Sequence, residues 1–200
     1  MIERGPASEA EVLLAFLQAE VDSRRFSGHL TPFLEGTGLS ATDLITNGDI
    51  ANEAQNALRR SILGGYRGYG RNTGLFTWFP DDTTWRRVQL EPHDHSRLLY
   101  AKESTWVSLS DRTRRVTRLA EKIAAGQIPS DPGDHIKAIQ DGLKTGTSYP
   151  EIIAVQAEGD SALVLVEGHC RATAYVSLKW TRNVNVLLGS SPGMRSWLFY

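Results

Sequence analysis

A short apolar run near the carboxyl end of the chain constrains the fold more than any other feature. Residues 162–166 read Ala-Leu-Val-Leu-Val, with no polar residue at alternate positions. Apolar side chains on both sides of a strand are typical of a strand that is buried on both faces. Residues 167–171 follow at once and read Glu-Gly-His-Cys-Arg, and residues 172–179 are predicted to be helical. The pattern therefore predicts a strand, a tight turn and a helix in succession.

The remaining elements predict an α+β fold. A Ser8/Glu11 capping pattern precedes an apolar face with helical spacing, and a second helix is expected at residues 49–63, ending at Gly64-Gly65. Residues 28–48 are predicted to be a loop region with room for one short helix. Further predicted elements are a helix from Ser110 or Asp111 to Ile123, a linker at residues 129–133, a helix from about Asp134, and strands at residues 85–90, 151–155 and 184–188. We expect a helical N-terminal region, residues 1–80, packed on a mixed α/β domain, residues 81–200.

Composition excludes several classes of protein. Charged residues make up 22% of the 200 residues and the formal net charge is -1, so no global positive field favours nucleic acid or an anionic membrane as partner. The single cysteine cannot form an intramolecular disulfide, and there is no apolar run of transmembrane length. These features predict a cytoplasmic protein with no membrane partner.

The predicted turn has the chemistry of a phosphate site. The start of a helix presents backbone N–H groups and the positive end of the helix dipole, and both favour an anion. Gly168 permits a tight turn, Arg171 can offer a planar fork to phosphate oxygens, and Glu167 can bind Mg²⁺ or act as an acid or base. His169 adds a donor or proton carrier. A purely structural alternative is a strand–helix corner in which Glu167 and Arg171 pair at the surface and His169 is solvated.

Three segments, at residues 136–143, 149–155 and 168–174, follow one another in an order that resembles the ParB/sulfiredoxin superfamily. Its members share a helix, a strand with a Gly-Leu-x-x-Pro-Ile-x-Val pattern, a hairpin, and a turn with an acid-Gly-x-x-Arg-x-x-Ala pattern. Here the matching segments are Ile136-Lys137-Ala138-Ile139-Gln140-Asp141-Gly142-Leu143, Tyr149-Pro150-Glu151-Ile152-Ile153-Ala154-Val155 and Gly168-His169-Cys170-Arg171-Ala172-Thr173-Ala174. The resemblance covers residues 108–188 and implies a ParB/sulfiredoxin-like domain in which Gly168, His169, Cys170 and Arg171 contact the phosphates of ATP or CTP.

The best-known branches of this superfamily differ from the chain in informative ways. Sulfiredoxins carry their catalytic cysteine two places before the arginine, where this chain has His169, so Cys170 is one position away. Partition proteins continue into a helix-turn-helix reader, but here a strand and a short tail follow. The free-serine kinases, with an acid-Gly-His-His-Arg turn and a glutamate base near the start of the preceding helix, come closest. The resemblance then implies Asp111 as the base, although simple helix capping by Ser110 and Asp111 is the favoured alternative.

Two other segments have a candidate chemistry and a structural alternative. His93-Asp94-His95 contains two histidines but no spaced third ligand, so a structural role is favoured over a metal site. Residues 66–71 mix aromatic residues with arginines and could stack a nucleobase, although packing is the simpler explanation.

The predicted function is an ATP- or ADP-dependent phosphotransferase that acts on a small hydroxylated metabolite. The catalytic residues would be Glu167, His169 and Asp111, with Mg²⁺ held by Glu167. The nucleotide would contact Gly168, His169, Cys170, Arg171 and Thr173. The alternatives are a non-catalytic binding module gated by CTP or ATP, and a ParB-like nuclease or DNA-binding protein. The near-neutral charge weighs against a nucleic-acid partner.

Overall fold

A mixed sheet with helices on both faces forms the fold. The computed structural model describes residues 1–21, 24–127 and 130–200. The strands are β1 (Ile2–Ala7), β2 (Thr84–Leu90), β3 (Leu98–Leu99), β4 (Ile152–Ala157), β5 (Leu163–Glu167) and β6 (Val184–Ser191). The α-helices are α1 (Glu9–Glu20), α2 (Arg24–Leu34), α3 (Glu53–Arg67), α4 (Ser104–Leu109), α5 (Val116–Ala124), α6 (Ser130–Lys144) and α7 (His169–Ser177). Short helical turns lie at Thr42–Thr46, Gly74–Phe76, Pro92–Arg97 and Met194–Ser196.

The six strands are arranged in the order β1-β2-β6-β4-β5-β3. Antiparallel ladders join β1 to β2, β2 to β6, and β4 to β5. Parallel ladders join β4 to β6 and β3 to β5. The architecture is thus α+β, as the sequence predicts.

Two apolar cores lie on opposite faces of the sheet. Successive side chains of a strand point to opposite faces, and in β5 Val164 and Val166 join one core while Leu163 and Leu165 join the other. All four side chains are at most 1% exposed, which confirms the prediction of a strand buried on both faces. The first core contains the apolar residues of α1, α2 and α3, and the second those of α5, α6 and α7.

The amino-terminal capping pattern forms as predicted, but other boundaries differ. The Ser8 side chain accepts the N–H of Glu11, and the Glu11 side chain accepts the N–H of Ser8. The prediction that the second helix ends at Gly64-Gly65 is wrong, because α3 continues to Arg67 and ends on Gly68 with a φ of +88°. The prediction for residues 28–48 is wrong at its start, because α2 extends to Leu34.

The carboxyl-terminal half also differs from the prediction in three places. Ser110 and Asp111 do not begin a helix, since α4 ends at Leu109 and α5 begins only at Val116. In the segment predicted to be a linker, α6 begins at Ser130, and Pro129 lies outside the described residues. The last helix begins at His169 rather than at residue 172. Within the described ranges, no helix has both the length and the apolar character needed to cross a membrane.

Candidate functional site

The turn between β5 and α7 requires glycine. Gly168 occupies the N-cap position of α7 with φ of +95° and ψ of 24°, in the left-handed region. A Cβ atom here would lie 3.1 Å from Cγ1 of Ile152 and 3.2 Å from Nη2 of Arg171. As a glycine, this N-cap residue makes no side-chain hydrogen bond to the helix. Gly168 therefore supplies no side-chain acceptor to the N–H groups at the start of α7.

Arg171 is buried behind the turn, and its side chain is 7% exposed. Its Nη1 donates to the carbonyl oxygens of Pro150, at 2.6 Å, and Glu151, at 3.3 Å. Its Nη2 lies 3.3 Å from Oε1 of Glu167. The guanidinium fork, expected to face phosphate oxygens, thus binds the segment that leads into β4. The structural alternative predicts that Glu167 and Arg171 pair at the surface. They do contact each other, but the Arg171 side chain is buried.

Two buried hydroxyl groups form a hydrogen-bonded chain to the backbone of the turn. Thr173 is fully buried, and its Oγ1 donates to the carbonyl oxygen of His169 at 2.7 Å. The hydroxyl of Tyr100 lies 2.6 Å from the same Oγ1. Because the single hydroxyl proton of Thr173 is used, Tyr100 must be the donor in this second bond. The interior position of Thr173 gives it a supporting role rather than a direct contact with a ligand.

His169 stacks against two other rings at the start of α7. The rings of Tyr100, Trp106 and His169 are within 22° of parallel, and their centroids are 4.9 to 5.9 Å apart. Burial lowers the pKa of His169 to about 3, so the imidazole is neutral. Its Nε2 is buried and has no hydrogen-bond partner among the described residues. Buried polar nitrogens normally have a hydrogen-bond partner, so this nitrogen is a candidate to bind a ligand.

Glu103 is the acid at the start of the helix that carries Trp106. Its carboxylate accepts the backbone N–H groups of Thr105 and Trp106 at 3.1 and 3.4 Å, and the hydroxyl of Ser104 at 3.0 Å. Partial burial opposes ionisation, but these hydrogen bonds outweigh it and lower the pKa of Glu103. The negative charge of Glu103 acts on the His169 imidazole and favours its protonation.

An ion pair at the ends of α1 and α3 also acts on His169. Glu20 is 5% exposed, pairs with a terminal nitrogen of Arg67, and accepts the hydroxyl of Tyr66 at 3.4 Å. The Arg67 guanidinium lies 4.3 Å from the centroid of the Tyr66 ring. The Nε of Arg67 is buried without a hydrogen-bond partner among the described residues. The charges of Arg67 and Glu20 shift the His169 pKa in opposite directions, so both ends of this pair reach the turn electrostatically.

The Asp111 carboxylate forms ion pairs with two side chains of α5. Asp111 has a φ of +51° and lies between α4 and α5. Its carboxylate pairs with Lys122 at 2.9 Å and with Arg118 at 2.8 Å, and these bonds lower its pKa. The side chain is 43% exposed. The carboxylate that lies at the start of a helix is that of Glu103, the N-cap residue of α4.

Among the described residues, His95 is not part of a cluster of potential metal ligands with His93. His95 is buried, burial lowers its pKa, and its Nε2 has no partner among the described residues. Ligand atoms of Glu91, His93 and Asp94 do lie within 4.8 Å of one another. The amino group of Met1 already contacts this cluster, at 3.0 Å from Glu91 and 2.7 Å from Asp94.

Two clefts lie elsewhere on the described surface. The larger, about 770 Å³, is lined by residues that include Trp78 and Asp81, and the smaller, about 420 Å³, by residues that include Arg86 and Ser190. Neither is lined by residues 167–173. A ligand at the turn would therefore lie outside both of these clefts.

The sequence predicts neither Glu20 nor Glu103 as site residues, and it indicates Arg67 only as part of the aromatic and basic segment at residues 66–71. One signal was available for Glu20, which follows Phe16 and Leu17 at the i+4 and i+3 positions and so falls on the apolar face of its helix. A charged residue on such a face needs a partner. No comparable local signal marks Glu103.

Comparisons with family models, curated proteins and solved structures gave no match to this chain. The chemistry of the turn therefore rests on its own geometry.

Proposed function

We propose that the start of α7 binds the phosphates of a nucleotide, and that the chain is an ATP- or ADP-dependent phosphotransferase for a small hydroxylated metabolite. The observation that carries the proposal is the Nε2 of His169, which is buried at the start of α7 and has no hydrogen-bond partner among the described residues. Helix N-termini attract anions through their N–H groups and dipole. The ParB/sulfiredoxin resemblance assigns the same turn to nucleotide phosphates.

The charges near His169 suit a metal–phosphate ligand. Arg67 and Arg171 supply positive charge, and Glu103 and Glu20 supply negative charge. Phosphoryl transfer needs both a cation that neutralises the phosphates and an acceptor base. Glu167, whose side chain is 20% exposed, and Glu103 offer carboxylate oxygens, the ligand type that Mg²⁺ prefers. Bound Mg²⁺ would neutralise phosphate charge.

Glu103 is a better candidate than Asp111 for the base that receives the proton of the acceptor hydroxyl. Its charge acts on His169, whereas the Asp111 carboxylate pairs with α5. The lowered pKa keeps Glu103 ionised at neutral pH. A carboxylate that acts as a base must be ionised before it can accept a proton.

Calorimetric titration with ATP, ADP and CTP, each with and without MgCl₂, tests the binding site. The matched variants are Cys170→Asp and Cys170→Ser. An acid in the first helical turn suits the dipole but repels phosphate. We expect Cys170→Asp to weaken nucleotide binding at least about tenfold, and Cys170→Ser to change it by less than about threefold. Equal affinity of Cys170→Asp and the parent for every nucleotide that binds would place the phosphate site elsewhere.

A second pair of variants tests the chemistry. Transfer of phosphate from ATP or ADP is followed against a panel of free hydroxyamino acids and sugars. Glu103→Gln keeps an oxygen that can cap α4 but removes the base, so turnover should fall by roughly a hundredfold or more with little change in nucleotide affinity. Asp111→Asn is the control and should retain turnover. Loss of turnover in Asp111→Asn alone would return the base assignment to Asp111.

The position of Arg171 favours a second candidate, a non-catalytic module gated by CTP or ATP. The guanidinium ties the turn to the carbonyl groups of Pro150 and Glu151. Phosphates that compete for Arg171 would release that segment, which is the behaviour of a switch. Nucleotide binding without transfer or hydrolysis by the parent protein would favour this module over the enzyme.

A further inference from the structure

Trp78, an exposed residue with a strained backbone, lines the larger cleft. Trp78 has a φ of +59° and is 59% exposed. Its N–H donates to Oδ1 of Asn72 at 2.5 Å, and its carbonyl oxygen accepts the hydroxyl of Ser196 at 3.2 Å. Asn72 itself has a φ of +52°. Bulky residues rarely adopt this conformation, and such strain concentrates at functional sites.

Aromatic rings line the cleft behind Trp78. Its volume of about 770 Å³ falls within the usual range for small-molecule sites. Phe79 and Trp85 stack there with ring centroids 6.4 Å apart and planes 12° apart, and Tyr69 also lines the cleft. The exposed indole of Trp78 thus extends a larger aromatic surface in this cleft, and the Trp78 backbone is strained.

One carboxylate in the cleft is uncompensated. Glu9 pairs with Arg60 and accepts the hydroxyl of Tyr69 at 2.5 Å, so the two opposite charges neutralise each other. Asp81 also lines the cleft, is exposed, and forms no ion pair or hydrogen bond within the described part of the chain. The cleft therefore carries an excess negative charge beside an exposed indole.

We infer that this cleft binds an organic cation, an ammonium or quaternary ammonium group that lies over the indole of Trp78 with Asp81 as its counter-charge. The face of an indole attracts cations more strongly than other aromatic faces do, and aromatic cages recognise quaternary ammonium groups in this way. An anionic ligand would be repelled by Asp81, and a neutral one would leave its charge uncompensated. The site is separate from the turn at Gly168.

Calorimetric titration of the full chain with choline and butylammonium tests the inference. Each has a neutral comparator: the alcohol in which a tert-butyl group replaces the trimethylammonium group of choline, and butanol. We expect at least one cation to bind with a Kd below about 1 mM and at least about tenfold more tightly than its comparator. No binding by either cation, or equal binding by cation and comparator, would overturn the inference.

Three variants locate the binding. Trp78→Ala and Asp81→Asn should each weaken cation binding at least about fivefold. Both side chains are exposed, so circular dichroism should match that of the parent. Trp180→Ala is the control, because that indole already lies 5.6 Å from the Arg182 guanidinium and outside the cleft. Equal losses in Trp180→Ala, or unchanged affinity in Trp78→Ala and Asp81→Asn, would assign the binding to another surface.

Discussion

Replacing Arg171 by alanine separates a structural role from a phosphate-binding role. In the folded chain the guanidinium donates to the carbonyl oxygens of Pro150 and Glu151 and contacts Glu167. A buried acceptor left without its donor costs roughly 1–3 kcal/mol, and breaking a buried ion pair roughly 3–5 kcal/mol. The Glu167 side chain is 20% exposed and can regain water, so the lower part of these ranges applies.

We therefore expect Arg171→Ala to lower the free energy of unfolding by about 3 kcal/mol. For a chain of this size, that loss corresponds to a fall in Tm of roughly 6–12 °C. Urea titration followed by circular dichroism should show a lower midpoint with an unchanged slope. Arg171→Lys, which keeps the charge but loses the fork, should fall between the variant and the parent.

Arg118→Ala is the matched control, because the Arg118 side chain is 45% exposed and forms surface ion pairs. It should cost less than about 1 kcal/mol. The reasoning fails if Arg171→Ala is as stable as Arg118→Ala. If such a stable variant also lost nucleotide binding, Arg171 would face the ligand in solution.

Three further predictions concern His169, Trp78 and Cys170. Burial, opposed by Glu103 and Glu20 and reinforced by Arg171 and Arg67, lowers the pKa of His169 to about 3. The unfolded chain, with a histidine pKa near 6.5, binds the extra proton first. This contribution to stability is thus complete above about pH 6.5 and is lost as pH falls. In urea titrations, His169→Gln should therefore reduce the slope of the unfolding free energy against pH between about pH 6.5 and 5. A slope identical to that of the parent would contradict the prediction. Trp78→Gly should raise the free energy of unfolding by up to about 1 kcal/mol, because relief of a left-handed conformation, roughly 1–2 kcal/mol, exceeds the backbone entropy cost of glycine. Calorimetry measures this change, and a Tm lower than that of the parent would show that Trp78 is not strained. Cys170→Ser should retain most activity, and bound nucleotide should protect Cys170 from alkylation; a variant that binds nucleotide but has no turnover would make the sulfur a chemical participant.

Local pattern predicts β5 and α1 well but does not predict α2 or β1. The apolar run at residues 162–166 lies within one residue of β5, because a buried strand needs consecutive apolar side chains. By contrast, α2 contains Pro32, and β1 contains Gly5 and Pro6, residues that disfavour these structures locally. Burial of Phe26 and Leu30 outweighs local propensity in α2, and β1 accommodates its glycine at a register shift on the edge of the sheet.

The candidate site was predictable in its position but not in its partners. The turn follows from Gly168 and the strand before it. Glu20, Arg67 and Glu103 come from three separate helices, and only the packing of those helices brings their charges to bear on His169. The direction of the Arg171 fork depends on where the pairing of β4 with β5 places the segment before β4. No local pattern contains that information.

The last strand of the chain lies in the middle of the sheet, and this order has a consequence for folding. β6 pairs with both β2 and β4, so Leu188 is opposite Arg86 on one side and Ala154 on the other. A nascent chain that ends before residue 184 can form the β1–β2 and β4–β5 ladders but has no strand to join them. Such long-range pairing slows folding, and the unjoined strand edges are prone to aggregation meanwhile. The sheet is therefore completed only after β6, residues 184–191, has been synthesised.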